Sequence, residues 1–128
     1  MKPTERIIEL AKELNDLGYR QDVQQGSWVY VSIWENFMLV VQVWKNQDET
    51  NIRLTNQQVF HNDKEYIPIP SLEDGLLWLK SRVNVGQPQL TRDIAHWVCE
   101  YWNGAYCTAD TPHEAVLMAM VKVIKEVK

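Results

Sequence analysis

Hydrophobic positions near the start of the chain repeat with a helical period. They are Ile7, Leu10, Ala11, Leu14 and Leu17. Because they are spaced mostly three or four residues apart, they fall on one face of a helix. Thr4 is placed to cap the start of that helix, and Gly18 stands where a left-handed residue commonly ends one. The pattern predicts a helix over residues 4–17.

From residue 28 onward the period changes to two. Val29, Val31 and Ile33 alternate with aromatic residues and a serine, as in a strand that buries one face. The predicted strands cover residues 28–34, 37–44, 51–54, 59–60 and 65–69. The first two are predicted to pair as a hairpin, and the last two as a second, shorter hairpin. Prolines 68 and 70 indicate that the final strand lies at a sheet edge or where the chain leaves the sheet.

After Ser71 the period becomes helical again. Ser71 and Asp74 form a variant of the capping box, and Thr111, Pro112 and Glu114 form a stronger helix start. The predicted helices cover residues 71–83, 91–103 and 111–127. The middle one is apolar over most of its circumference, so we expect it to be buried on two sides.

The order of these elements separates strands from helices, which is typical of an α+β fold. We predict a single domain over residues 1–128, in which an antiparallel sheet of three to five strands packs against an N-terminal helix and three C-terminal helices. A chain of 128 residues is long enough to bury a core without disulfides or a metal. The last two predicted helices carry more apolar surface than one small core absorbs easily, which predicts a homo-oligomer.

The net charge of the chain limits the classes of partner that it can bind. The chain has 13 basic and 17 acidic residues, a net charge of −4, and no basic run longer than two residues. Binding to a nucleic acid duplex is disfavoured, because it requires several phosphates to be neutralised. The first six residues contain no apolar signal core, and no stretch reaches the length of a membrane span. We therefore expect a cytoplasmic protein without a membrane partner.

Candidate chemistry rests on two cysteines and two of the three histidines. His96, Cys99, Cys107 and His113 could in principle supply four zinc ligands. Their spacing matches no common zinc module, and Cys99 also fits an apolar strip of the predicted helix. A Cys–His nucleophile pair has no supporting spacing either, and two cysteines make no disulfide framework. We expect no metal, no cofactor, no catalytic residue and no enzymatic activity.

Six tryptophans are many for this length. Core packing is the simplest interpretation, and a stacking surface for a base or a partner protein is the alternative. If a small anionic aromatic ligand binds, the first hairpin is the best place for it, because its aromatic residues alternate with the valine row, with Trp44 on the same side. Arginines near the ends of elements could bind its phosphates. The predicted ligand-binding residues are Trp28, Tyr30, Trp34, Arg20 and Arg53.

Two stretches in the last third of the chain carry a family resemblance. Leu90–Trp97 reads Leu-Thr-Arg-Asp-Ile-Ala-His-Trp, and Asp110–Ala115 reads Asp-Thr-Pro-His-Glu-Ala. Both resemble segments of small phage-encoded proteins with a phage ABA-sandwich domain, a family that places strands between the two segments. The resemblance implies a small accessory gene product, and a recurring role of such products is to block host defence.

The resemblance leads to an expected function. We expect a non-catalytic phage accessory protein that sequesters a small nucleotide-type immune signal, a cyclic nucleotide or a cyclic ADP-ribose, as an anti-defence sponge in the host cytoplasm. The resemblance also implies a homo-oligomer, because some such phage products form their ligand pockets between subunits. The alternative is a protein–protein interaction inhibitor, or a structural accessory protein, that has no small-molecule ligand.

Overall fold

The structure is a computed structural model of the protein, and it describes residues 2–62, 64–82, 88–92, 95–102 and 105–127, except for the side chains of residues 102 and 127. Its described part contains three α-helices and two antiparallel sheets, so the predicted α+β class is confirmed. The chain divides into two compact units, Met1–Ile69 and Pro70–Lys128. Among the described residues, no helix combines the length and the apolar character needed to cross a bilayer.

The first unit begins with a helix and continues as a sheet. Its elements are α1 (Glu5–Asp16), β1 (Trp28–Val31), a 3₁₀ turn (Ser32–Trp34), β2 (Asn36–Asn46), β3 (Glu49–Leu54), β4 (Val59–Phe60) and β5 (Ile67–Ile69). Helix α1 has both predicted ends. The Thr4 hydroxyl accepts a hydrogen bond from the Ile7 amide at 3.2 Å. Gly18 has a φ of +96°, and the Tyr19 amide donates to the Leu14 carbonyl at 2.9 Å, as in a Schellman ending.

The five strands form one antiparallel sheet in the order β4-β3-β2-β1-β5. The predicted hairpin of the first two strands is confirmed. The predicted hairpin of the last two is wrong, because β4 pairs with β3 while β5 pairs with β1 at the opposite edge. Strand β5 also lies against α1, which gives its isoleucines a partner that β4 cannot offer. The predicted edge position of Pro68 is confirmed.

Strand β1 is shorter than predicted. The chain leaves the strand after Val31, makes the 3₁₀ turn, and passes through Glu35 in a left-handed conformation with φ +49°. This path reverses the chain so that Val31 stands opposite Asn36. Ile33 was expected to face the core and is instead 81% exposed, because the turn removes it from the strand alternation.

One core cluster of the first unit lies on one face of the sheet, and α1, whose Ile7, Leu10, Ala11 and Leu14 are also buried, lies against β5. The buried members of the cluster are Val23, Val29, Val31, Val40, Ile52, Leu54, Phe60 and Tyr66. The pairing between β2 and β3 shifts register between Val40 and Gln42, which is a bulge. The bulge keeps Val40 and Val43 on the core face, opposite Leu54 and Ile52 respectively. It also places Gln42 and Trp44 on the other face.

The second unit has two helices and a three-stranded sheet. Its elements are α2 (Leu72–Arg82), β6 (Gln89–Arg92), β7 (Trp97–Trp102), β8 (Ala105–Ala109) and α3 (Pro112–Val127), with strand order β6-β7-β8. The predicted helix over 91–103 is wrong, since its described residues belong mainly to β6 and β7. Cys99 and Tyr101 of β7 are buried while Glu100 between them is exposed, which is strand periodicity. The described fold therefore has two C-terminal helices, where three were predicted.

Both predicted helix starts are confirmed by their hydrogen bonds. The Ser71 amide donates to the Asp74 carboxylate and the Asp74 amide donates to the Ser71 hydroxyl, both at 3.0 Å, which is a reciprocal capping box. The Glu114 amide donates to the Thr111 hydroxyl at 3.2 Å. The predicted helix end at residue 83 lies outside the described residues, and so do residues 93, 94, 103 and 104 of the predicted helix over 91–103.

Most of the apolar side chains of helix α3 are buried within the chain itself. Its buried residues are Ala115, Val116, Leu117, Ala119, Met120, Val121 and Val123. The oligomer prediction relied on apolar strips left over on this helix and on the predicted helix 91–103. Because one of those helices does not exist and the other is buried, that premise is wrong.

Candidate functional site

Four side chains of neighbouring strands share the sheet face opposite the core of the first unit. Gln42 stands opposite Arg53, and Trp44 stands opposite Asn51, across the β2–β3 pair. Residues directly opposite one another in an antiparallel pair project to the same side. We call this set, Gln42, Trp44, Asn51 and Arg53, the sheet platform. The β2–β3 register and the bulge after Val40 are what bring it together.

Arg53 is held in place on the sheet platform by two contacts. Its guanidinium carbon lies 5.5 Å from the centroid of the Trp44 ring, within the range of a cation–π contact. Its Nη1 donates a hydrogen bond to Gln42 Oε1 at 2.9 Å. Arg53 and Trp44 are both half-buried. A cation is therefore fixed beside an aromatic ring and still reaches solvent.

A buried amide adjoins this pair. Asn51 is only 3% exposed, and its Oδ1 accepts a hydrogen bond from Nδ1 of His61. Its Nδ2 donates to the Glu49 carbonyl at 3.5 Å. Because an amide oxygen can only accept, the His61 ring must carry its proton on Nδ1. The imidazole of His61 is thus oriented at the border of the sheet platform.

Trp28 and Tyr30, two predicted ligand-binding residues, lie on the same sheet face but on β1. Tyr30 is buried, and Nζ of Lys12 from α1 lies 4.3 Å from its ring centroid. Trp28 packs edge-on against Phe37, with ring centroids 5.4 Å apart. Strand β2 lies between β1, which carries Trp28 and Tyr30, and β3, which carries Arg53. The structure therefore does not join these aromatic residues to Arg53.

Trp34 and Arg20 are placed elsewhere. The Trp34 ring lies 5.6 Å from that of Phe60, a member of the core on the opposite face. Nη1 of Arg20 donates to the Asn15 carbonyl at 3.1 Å, the Asn15 side chain at 3.0 Å and the Tyr19 carbonyl at 2.8 Å. Arg20 thus supplies a cation to the carbonyl end of α1, as helix ends favour. Of the five predicted residues, Arg53 alone belongs to the sheet platform.

Two cavities of about 510 and 410 Å³ lie among the loops of the first unit and share Gln21, Asp22 and Tyr66 in their linings. The larger one is also lined by two further carboxylates, those of Asp48 and Glu49. Its charged lining thus has three carboxylates and the ammonium of Lys64, besides His61. This excess of negative charge repels an anion, so the larger cavity suits the expected ligand less well than the sheet platform does. The smaller cavity is lined by one carboxylate, that of Asp22, and one guanidinium, that of Arg20.

The four residues considered as zinc ligands do not converge in the described structure. Nε2 of His113 donates to the Pro70 carbonyl at 2.6 Å, and His96 is exposed. Cys99 and Cys107 face each other across β7 and β8. Among the described residues, no three histidine, cysteine or acidic side chains are grouped to hold a metal ion.

The two buried cysteines of the second sheet, Cys99 and Cys107, hold their protons more tightly than an exposed cysteine does. Burial, and then the neighbouring Cys107, raise the pKa of Cys99 from 9.0 to about 12. Burial is also the main cause that raises the pKa of Cys107. Because the thiolate is the reactive form of cysteine, both sulfur atoms are poor nucleophiles in the folded protein.

Gln42 and Asn51 of the sheet platform, and His61 at its border, were not selected from the sequence. The cross-strand pairs of the platform could have been found by counting outward from the turn of the hairpin. A two-residue turn at Gln47 and Asp48 places 46 opposite 49, and counting outward pairs 44 with 51 and 42 with 53, as observed. The bulge at residue 41 was not readable from the alternation, so the face of each side chain beyond it was uncertain.

No family model matches the chain, and no curated protein or solved structure matches it significantly.

Proposed function

We propose that this chain is a non-catalytic protein that binds and sequesters a small anionic nucleotide-type ligand on the sheet platform. The observation that carries the proposal is the position of Arg53, whose guanidinium is held over Trp44 and hydrogen-bonded to Gln42. Nucleotide recognition needs an aromatic or guanidinium plane for the base and charge-assisted donors for the phosphate. The platform offers both from one pair of residues.

The chemistry of arginine supports this assignment. A guanidinium has five N–H donors in a fixed plane, and the bond to Gln42 uses one of them. Trp44 and Gln42 hold that plane before a ligand arrives, so binding loses less side-chain entropy. Two other arginines, Arg82 and Arg92, lie over tryptophans in the second unit. Both are exposed, whereas Arg53 is half-buried, and partial burial strengthens its interaction with an anion.

The state of the possible nucleophiles supports a non-catalytic role. Burial keeps the thiols of Cys99 and Cys107 protonated by raising the pKa of each. The ring of His113 donates to a backbone carbonyl, and that of His61 donates to Asn51. Neither described contact joins an imidazole to a cysteine as its general base, which nucleophilic catalysis would need.

The order of elements in the second unit supports the phage resemblance. That family places strands between its two characteristic segments, and here most of β7 and all of β8 lie in the interval between Leu90–Trp97 and Asp110–Ala115. Together with the sheet platform, this supports an anti-defence protein of phage origin that sequesters cyclic nucleotides or cyclic ADP-ribose in the host cytoplasm. The proposal includes closed self-association.

The test is calorimetric titration with cyclic dinucleotides and cyclic ADP-ribose isomers. We expect the native chain to bind one of these ligands, and Arg53→Ala and Trp44→Ala each to weaken binding about tenfold or more, since a stacked base contributes roughly 1–3 kcal/mol. Arg82→Ala is the matched control for the arginine, and Trp34→Ala is the matched control for the tryptophan. Both controls should bind like the native chain.

The two parts of the proposal fail in different ways. If the native chain binds none of these ligands, sequestration of a nucleotide signal is wrong. If the chain binds but the Arg53 and Trp44 variants bind as well as the controls, the function stands and the platform assignment is wrong. Thermal melts of all four variants separate lost binding from lost folding.

A protein-binding function is the second candidate, favoured by the apolar surface of the 3₁₀ turn. Ile33 is 81% exposed, and its neighbour Trp34 is 37% exposed although its ring lies beside that of Phe60; a contiguous exposed apolar patch marks a protein-interaction site. The discriminating measurement is the mass of protein recovered from expressing cells, native against denatured. A nucleotide retained in the native sample supports the first candidate, and its absence together with failed titration supports the second.

A further inference from the structure

Two cysteines stand directly opposite each other in the second sheet. Cys99 of β7 and Cys107 of β8 are register partners in an antiparallel pair, so their side chains project to the same side of the sheet. Residues opposite one another in such a pair have Cα atoms about 4.5 or 5.5 Å apart. Both distances lie within the window of about 4.4–6.8 Å that a disulfide needs.

Both thiols lie in a buried part of the unit. Cys99 is 0% exposed and Cys107 is 2% exposed, and each carries a free sulfur. Helix α3 lies against both strands, and the Tyr101 side chain is hydrogen-bonded to Cys107. The two sulfur atoms are therefore held as neighbours by strand pairing and by the helix above it.

We propose that Cys99 and Cys107 are a modification site at which a small-molecule disulfide, such as oxidised glutathione, converts the dithiol into a cross-strand disulfide. The fold acts as the template, because strand register already gives the spacing that the bond needs. Formation of this disulfide does not depend on any ligand on the sheet platform, because both cysteines belong to the second unit.

The exchange balances in two steps. The Cys107 thiol loses a proton and its thiolate attacks one sulfur of glutathione disulfide, which forms a mixed disulfide and releases one glutathione thiolate. The Cys99 thiol then loses its proton and attacks the Cys107 sulfur, which forms the Cys99–Cys107 bond and releases the second glutathione. The protein loses two protons and two electrons, and the glutathione disulfide gains them.

Topology decides which cysteine reacts first. Strand β8 is an edge strand paired only with β7, whereas β7 is central and paired on both sides. Local opening of an edge strand disrupts fewer hydrogen bonds and so occurs at lower free energy. Cys107 therefore meets the oxidant first, and Cys99 is the resolving thiol.

The test uses the full chain equilibrated in glutathione redox buffers, acid-quenched, alkylated and weighed intact. The ratio of disulfide to dithiol is measured at one buffer composition for the folded protein and again in denaturing urea. We expect the ratio to be at least tenfold higher in the folded protein, a difference of about 1.4 kcal/mol. By linkage, the oxidised protein should then unfold at a higher temperature than the reduced protein.

Single variants provide the control and the reaction order. Cys99→Ser should stop at the mixed disulfide with glutathione on Cys107, while Cys107→Ser should react more slowly than Cys99→Ser. An equal or lower disulfide ratio in the folded protein, or a lower melting temperature after oxidation, would overturn the proposal. Faster modification of Cys107→Ser than of Cys99→Ser would overturn the order of attack.

Discussion

At the residue scale, burial governs the acid–base behaviour of the second sheet. Burial first, and then the neighbouring groups, raise the pKa of Cys99 from 9.0 to about 12 and that of Tyr101 from 10.0 to about 12. Both groups are neutral when protonated, and burial disfavours the charged form. Because the pKa of each is raised, the folded protein holds these protons more tightly than the unfolded chain does. Stability must then depend on pH in the alkaline range.

The sign of that dependence follows from the two states. Below pH 9 both states are protonated and the full stability is present. Between about pH 9 and 12 the unfolded chain releases protons that the folded chain retains, so the free energy of unfolding falls, by up to about 1.4 kcal/mol per pH unit for each such group. Urea unfolding from pH 8 to 10.5 should show this fall. Cys99→Ala should fall less steeply, and an identical slope would contradict the assignment.

Gly75 is a second residue whose role can be tested. A Cβ at this position would lie 2.5 Å from Cγ1 of Val116 and 3.2 Å from the sulfur of Met120. Valine is β-branched and cannot move Cγ1 without rotating its whole side chain. Alanine normally favours a helix over glycine by up to about 1 kcal/mol, but overpacking a core costs about 1–3 kcal/mol. The cost of overpacking therefore exceeds the gain in helix propensity.

We expect Gly75→Ala to lower the free energy of unfolding by about 1–2 kcal/mol, measured by denaturant titration. Lys80→Ala, at an exposed site on the same helix, is the control and should change stability little. A Gly75→Ala protein as stable as the native one would show that α2 and α3 can separate without loss.

At the element scale, capping could be predicted from the sequence because it depends on residues three positions apart. The Ser71–Asp74 and Thr111–Glu114 pairs were read correctly, since each helix start is a local contact. The predicted helix over 91–103 failed for the opposite reason. Its apolar residues are so dense that they fit a helical period and an alternating one, and strand pairing across β6, β7 and β8 decides between them.

The sequence feature that was overlooked in that segment is the two-residue connection between β7 and β8. Strand β7 pairs with β8 so that Trp102 stands opposite Ala105, with only Asn103 and Gly104 between them in the sequence. Asn-Gly between two strand-like runs is the strongest short-range indication of a hairpin. Reading it as a helix end ignored the aromatic and β-branched residues on either side, which favour strands.

The capping box of α2 yields a graded prediction. Ser71→Ala removes the acceptor of the Asp74 amide and should lower the free energy of unfolding by about 1 kcal/mol, while Ser71→Gly should lower it by only a few tenths. Thermal or urea unfolding measures both. Ser81→Ala, near the other end of the helix, is the comparison. Equal losses for alanine and glycine at position 71 would contradict a capping role.

At the scale of the whole molecule, the sequence indicated the α+β class, an antiparallel first sheet within the predicted range of three to five strands, and one edge of that sheet. The second sheet was missed, and so was the arrangement of the candidate site. Arg53, one of the predicted ligand-binding residues, lies beside the Trp44 ring, but its partners depend on a bulge and on long-range pairing. Trp34 was assigned to the wrong face, because a 3₁₀ turn interrupts the alternation that placed it.

Self-association remains the prediction with the least support from the fold. The apolar side chains that stay exposed in the described structure are Ile33, Trp34, Leu77 and Tyr106. If they lie in an interface, sedimentation at micromolar concentration should give a closed oligomer, and Ile33→Ser should weaken it. A monomer at that concentration would remove the oligomer from the proposed function without affecting the sheet platform.

The order of strands in the first sheet has a consequence for behaviour in crowded solution. Its two outermost strands, β4 and β5, are its shortest, with two and three residues, and Pro68 in β5 has no amide hydrogen to donate. The long strand β2, with 11 residues, is enclosed between neighbours. Open strand edges are the templates on which chains add to one another and form fibrils. A sheet bounded by two short edge strands, one of them interrupted by a proline, gives such growth little to start from at high protein concentration, which the proposed stoichiometric capture of a ligand would require.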